Sequence, residues 1–446
     1  MSQHRRWTGT LATVSAAALM GLMSCSTAGN PGSEAPTPGT TTPGTTTTIT
    51  WGTPSDGSAL KAERKIVTEF QAANPEITVK VESTNFADYD TKMTTGLRSG
   101  RGPDVFRVNH PNVQAWSNAG YLADLGQTLA DQKIDTSTFI PGLMAIGKVN
   151  NTQYTLPIDT DCRAFWYNPK LLVEAGVVDG SKKAKPPATW DELLSAVSKF
   201  KGQDTYGYVY RTDSDYAMAY EAVGPYLKSA GGQILSDDAA PKAVAATDPK
   251  TVAAVELLQK IAAISVPPGE ANMAEATTNK LFASGKVAMM TAGPWARASI
   301  LEIDPKLKYG VDYALTTIPT PAAGDKPASA AGGWQIGLNA KSKNQEAAAK
   351  FLAFFEQSNN LVSLATTSSF PPLVDGMEGE PFGTDPFYAA FKEMLPNSGL
   401  PITPVAQLAQ VSAAFEVAGR AAVNENKDVT AELTTFDQKV NEQVLQ

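Results

Sequence analysis

The chain has 446 residues, of which 42% are hydrophobic and 18% charged, with a formal net charge of -8. Such a length exceeds what one hydrophobic core usually serves, and the composition is that of a folded, mixed α/β protein rather than a disordered one. The acidic balance excludes the broad basic face that nucleic acid or an anionic lipid surface would recruit.

At the start, His4, Arg5 and Arg6 precede an apolar stretch over residues 11–23 that is too short and too rich in small residues for a membrane span. This predicts an export signal over 1–24. Its last residues, Leu22-Met23-Ser24-Cys25, resemble a bacterial lipobox, which implies that Cys25 is acylated and holds the mature chain on the outer face of the cell membrane. Losing Arg5 and Arg6 with the signal takes the charge from -8 to -10, since the first 25 residues hold no acid. Residues 25–48, rich in Thr, Pro, Gly and Ser, predict a tether with a reach of roughly 25–30 Å. Beyond Cys25 only Cys162 remains, so no intramolecular disulfide is expected and a buried, inert thiol is the reading for it. His110 is the one histidine after the signal, placed in a loop or at a helix start; with no Cys/His cluster, neither a metal nor a cofactor is expected.

Residues 48–52 read as a strand, and 59–73 as a helix whose Leu60, Ile66, Val67 and Phe70 share one stripe before Asn74-Pro75 closes it. A strand follows over 77–81, a helix over 88–98, a glycine-rich stop over 99–102, and a third strand from Pro103. This is βαβαβ, the opening of a doubly wound lobe. Further on, Thr189 and Glu192 form a capping box ahead of Leu193, Val197 and Phe200 on one helix face. Residues 206–210 and 233–235 read as strands, and Val255, Leu258 and Ile261 mark another helix. A second lobe is therefore expected after residue 160. Ala348, Phe351, Leu352 and Phe355 again lie at helical spacing, and the chain from Val405 onward is patterned as helices.

Several motifs recur along this frame: Gly102-Pro103-Asp104-Val105-Phe106 with Gly120-Tyr121-Leu122-Ala123-Asp124-Leu125; Leu156-Pro157 before Tyr167-Asn168; and Pro187-Ala188-Thr189-Trp190-Asp191-Glu192-Leu193. Later come Phe282-Ala283-Ser284-Gly285-Lys286-Val287-Ala288-Met289, Gly293-Pro294-Trp295 and Gly332-Gly333-Trp334. From about residue 48 to the end the chain thereby resembles the sugar-type extracellular solute-binding proteins of ABC transporters, related to maltose- and trehalose-binding proteins. The resemblance implies an α/β fold of two lobes joined by crossing strands, with a ligand cleft between them and a hinge that closes on a sugar. It implies one lobe from 49–158 and 334–373, the other from 159–333 and 374–446, a monomer, and ABC permease subunits as partners. Residues 396–404 lack an arginine that some disaccharide-binding relatives place there, which leaves the sugar open.

A sugar offers apolar C–H faces and hydroxyls, so its cleft needs aromatic planes and paired acceptors and donors. Trp295 and Trp334 are the candidate planes, with Gly333 among the glycines that let backbone and ligand approach. Trp116 and Trp190 fall on helical patterns and stay with the core or the lobe surface, while Trp51 and Trp166 stay open. Asn109 and Asp161 are candidates to orient hydroxyls, and Arg163 either reaches the cleft or holds Asp159. Glu221 and Asp56 complete the set. An enzyme reading would take Asp159 and Asp161 as a glycosidase pair, but residues two apart on a strand point the same way, and no hydrolase or phosphate-loop motif accompanies them. No catalytic residue is assigned. A glycerophosphodiester, asking for cleft Arg or Lys, or a polyamine, asking for acids boxed by aromatics, is the alternative solute.

Overall fold

In the computed structural model, which describes residues 46–446 apart from 215, 239 and 270–272, the first strand β1 spans Thr47–Thr53. The export signal and Cys25 lie outside the described residues. Thr47 and Thr48, expected at the end of the tether, pair with Ile77 and Thr78 in the first sheet. Helix α1 (Gly57–Ala73) buries Glu63, Ile66, Val67 and Phe70, an i, i+3, i+4, i+7 stripe. It ends where the Asn74 N–H donates to the Phe70 carbonyl. Strand β2 (Ile77–Ser83) lies parallel to β1, helix α2 (Phe86–Arg98) follows with the Asn85 side chain accepting from the Asp88 N–H at 3.0 Å, and β3 (Val105–Asn109) lies parallel on the other side of β1.

The first sheet runs β2, β1, β3, Trp334–Leu338, Thr155–Pro157, with the two later strands antiparallel to their neighbours. The second sheet runs Ala314–Thr316, Ala164–Tyr167, Val287–Ala292, Tyr206–Val209. Each sheet has its own core. In the first, Trp51 is fully buried against Phe351 and Phe355 and donates its indole N–H to Glu63 at 2.9 Å. In the second, Trp166 stacks on Tyr313 at 5.8 Å, meets Phe282 and Phe387 edge-on and donates to the Ala292 carbonyl at 2.9 Å. Trp51 and Trp166 are thus core residues, as is Trp116, packed on Phe106.

Between the sheets the chain passes through a two-residue antiparallel ladder, Asp161–Cys162 with Ala331–Gly332, beside an isolated bridge from Thr160 to Phe370. These passes join two lobes. Residues 233–235 do not form a strand; Leu235 makes one isolated bridge, to Ala243. The reason is local: the Gln233 N–H goes to the Asp248 carboxylate at 2.6 Å, and Asp248 also caps the Pro249–Ser265 helix. The capping box forms as expected: the Thr189 side chain accepts from the Glu192 N–H at 3.3 Å, and the Glu192 carboxylate reaches back to the Thr189 N–H and also takes the Ala188 N–H at 2.8 Å. Among the described residues no helix is long and apolar enough to cross a membrane.

Phe351 stands 5.8 Å from Trp51 and 5.1 Å from Phe70, ring centroid to centroid, at the centre of the first core. Phe351→Ala should therefore cost about 3–5 kcal/mol. Urea unfolding should show a lower midpoint at unchanged slope; a loss under ~1 kcal/mol would mean that this site is not close-packed.

Candidate ligand-binding site

Strand β3 ends at Asn109, which pairs directly with Trp334, the first residue of the returning antiparallel strand. Asn109 is half-buried and its side chain makes no capping hydrogen bond to the short turn His110–Asn112 that follows. The half-buried Trp334 ring lies 5.1 Å from the Arg107 guanidinium, with Phe86 at 6.1 Å and Tyr89 at 5.9 Å meeting it edge-on from α2. Gly333 sets this corner. Its φ is +137°, and a Cβ there would come within 2.7 Å of the Asp159 carbonyl oxygen and 2.8 Å of His110 Cε1.

In the second lobe, Trp295 stands just before helix Ala296–Ile303 with its ring folded back over Gly293, where a Cβ would meet ring carbons at 1.9 Å. The Arg163 guanidinium sits 5.0 Å from that ring. The lobes also touch directly: Tyr216 Oη donates to Asp90 Oδ2 at 2.7 Å, and the Arg211 guanidinium lies 5.0 Å from the Phe86 ring.

The charges around these rings fall into three sets. Arg107 holds Glu63 at 3.3 Å and Asp159 by a short pair. Arg163 holds Asp161 at 2.6 Å and grips Glu221 with two nitrogens, one of them at 3.0 Å. Arg211 holds Glu275 at 2.8 Å and Asp213 by a short pair. Arg163 accordingly does not hold Asp159, whose other oxygen accepts the Trp334 N–H at 2.7 Å. The two aspartates do not act as a facing pair either. Asp159 lies ahead of the crossing ladder and turns to the first lobe's arginine, while Asp161, inside the ladder, turns to Arg163.

Asp161, Arg163, Glu221, Trp295, Trp334, Gly333 and Asn109 all stand on or beside this arrangement. Asp56 does not: it is exposed at the head of α1, and the neighbouring Ser55 takes the expected place, bonded to Glu63 at 2.7 Å and Arg107 at 2.8 Å. Sequence reading missed Glu63, Arg107, Arg211, Glu275, Tyr216 and Tyr220. A signal existed for two of them, since Glu63 interrupts the apolar stripe of α1 and Arg107 sits between Phe106 and Val108 in a buried strand.

Burial governs how these groups titrate. It pushes Asp159 up to about 6 against the pull of Arg107, and raises Asp161 in the same way. Burial also acts on Glu221, yet Arg163 outweighs it and holds that carboxyl below its ordinary value. His110 is lowered to about 3 by burial and stays neutral, and burial raises the Cys162 thiol far above its usual range, as fits an inert thiol. Among the described residues no group of three or more His, Cys, Asp and Glu side chains is placed to hold a metal ion.

Residues 54–358 match the family model described as bacterial extracellular solute-binding protein. The chain belongs to that family. Among relatives of this solute-binding protein, a putative binding protein of Brucella abortus is 28% identical over 345 residues, covering 75% of this chain and 78% of the relative. The diacetylchitobiose binding protein DasA of Streptomyces coelicolor is 27% identical over 281 residues, covering 63% and 62%. The ABC transporter solute-binding protein of Thermotoga lettingae, solved with α-D-tagatose, superposes with a TM-score of 0.79 at 24% identity, over 90% of this chain and 100% of that one, which establishes the two-lobed fold. The family is one of binders rather than catalysts, and the glycosidase reading of Asp159 and Asp161 falls with it.

Asp159 gives this solute-binding protein a testable pH dependence. Its carboxyl holds a proton more tightly when folded, at about 6, than at its ordinary 3.8, so stability should fall as pH rises from about 4 to about 6. The full effect is at most about 3 kcal/mol, and Asp159→Asn should remove it. Urea unfolding at pH 4.5 and 6.5 of both proteins measures the difference; identical pH dependence in the two would show that Arg107 rather than burial governs Asp159.

Proposed function

We propose that this protein is the lipid-anchored, substrate-binding component of an ABC importer. It captures a sugar between its lobes by hinge closure and delivers it, as a monomer, to the permease. The observation that carries this reading is the pair of tryptophans, Trp334 from one lobe and Trp295 from the other, set beside buried arginine–carboxylate sets at the crossing strands. Aromatic planes suit sugar C–H faces, and carboxylates with half-free Asn109 suit hydroxyls. The relatives' names, one for diacetylchitobiose and one solved with tagatose, support a sugar. The motif Leu22-Met23-Ser24-Cys25 supports the anchor. Against a phosphodiester stands the state of the three arginines, each already neutralised by two carboxylates.

Melting-temperature shifts across a panel of solutes should identify the ligand, because binding to the folded state alone raises stability. With that sugar, Trp295→Ala should weaken calorimetric affinity on the order of 30-fold, the equivalent of ~2 kcal/mol for an aromatic hot spot. If the variant melted lower but bound normally, Trp295 would be a core residue. Separately, Cys25→Ala should release the protein from membranes, since the anchor gains about 0.8 kcal/mol for each buried CH₂. Retention of that variant after a high-salt wash would overturn the lipid anchor.

A further inference from the structure

The three arginine sets are not separate islands. Asp159 feels Asp161, Asp161 feels Glu221, and Glu221 feels Arg211, so one ribbon of charge runs from Glu63 in the first lobe to Glu275 in the second. Along it three arginines face six carboxylates: Glu63, Asp159, Asp161, Glu221, Asp213 and Glu275. The formal balance is negative. The four carboxyls on Arg107 and Arg163 are buried, while Asp213 and Glu275 keep part of their surface in water. Gathering uncompensated negative charge in the buried part is expensive, and such a region lowers its free energy by taking up positive charge. In each of the two buried sets one carboxyl already responds, Asp159 and Asp161 both being raised mainly by burial.

A second observation points to a ligand at the same place. Tyr220 is only 5% exposed, yet its hydroxyl finds no hydrogen-bond partner among the described residues. Arg163 and Asp161 act on that hydroxyl electrostatically, which puts it beside the middle set. A buried phenol left without a partner loses the full hydration of its O–H, so a group that bonds to it is favoured. An ammonium has three donors and no acceptor, so it can donate to the phenol oxygen while the carboxylates take the charge, and the phenol O–H then needs an acceptor such as a hydroxyl or ring oxygen of the same solute.

We infer that the cleft takes a solute bearing a protonated amine, in first place an amino sugar, and turns away anionic sugars. The inference rests on the interlobe cleft as the solute site. A neutral sugar leaves the charge of the ribbon as it is; a uronate or sugar phosphate adds to it and meets arginines that are already engaged.

The test is a calorimetric titration of the full-length protein at pH 6.5, where an amine with a pKa near 8 stays protonated. The monosaccharide probes form matched sets in two epimeric series, and disaccharides of each charge are added. The neutral members are glucose, galactose, cellobiose and lactose; the amines are glucosamine, galactosamine and the chitosan disaccharide; the anions are glucuronate, galacturonate and digalacturonate. Spermidine is a further arm. An amino sugar binding at least tenfold tighter than its neutral counterpart, with the uronates silent, is the expected result. Spermidine binding alone would uphold the amine and overturn the sugar. Neutral sugars binding as tightly as their amines would leave the sugar reading standing and overturn the amine, as would uronate binding. Silence from every probe would overturn the amine inference, and sugar binding would then be decided by the wider melting-temperature panel.

Discussion

The structure hinges on how charge is buried where the chain crosses between lobes. Asp159 illustrates the constraint. One of its oxygens accepts the Trp334 N–H and the other takes Arg107, whose guanidinium in turn lies over the Trp334 ring. A single carboxylate thus fixes both the backbone and the ring of a candidate ligand residue. Buried ion pairs give little net stability, because desolvation offsets their attraction, but breaking one strands its partner without water. Their effect here is geometric: they permit one arrangement of the crossing and penalise others.

By contrast, the lobes meet across the cleft through contacts that water can replace at modest cost, such as the Tyr216–Asp90 hydrogen bond and the Arg211–Phe86 contact. The crossing ladder is only two residues long on each side. Under the proposed hinge closure, a solute favours the closed arrangement only by its extra affinity for it.

Much of the fold was legible because it is written in local periodicity: the stripe of α1, the alternation of β2 and the glycine stop before β3 all correspond to observed elements. The tryptophan corners were legible from Gly293-Pro294 and Gly332-Gly333. The charge ribbon was not, because its partners are far apart in sequence: Arg107 meets Glu63 across 44 residues, and Arg163 meets Glu221 across 58. No spacing rule joins them. Asp56 stands exposed just ahead of α1, whereas its neighbour Ser55 turns inward to Glu63.

Why four tryptophans on or beside strands divide into two core residues and two cleft candidates follows from sheet topology. In parallel sheets ligands settle beyond the carboxyl ends of the strands, where loops rather than helices line the surface. Trp51 and Trp166 lie within their strands and are covered on both faces. Trp295 comes after the carboxyl end of Val287–Ala292, which runs parallel to Tyr206–Val209. Trp334 opens its strand instead of ending it, but that strand is antiparallel to β3, so its first residue lies beside Asn109, the last of β3. Reversal of direction brings an amino-terminal residue to the carboxyl edge. The two rings therefore occupy equivalent edges of two sheets, and the crossing between those edges adds Asp159, Asp161 and Arg163 to Arg107 of β3 and Glu221 of the second lobe.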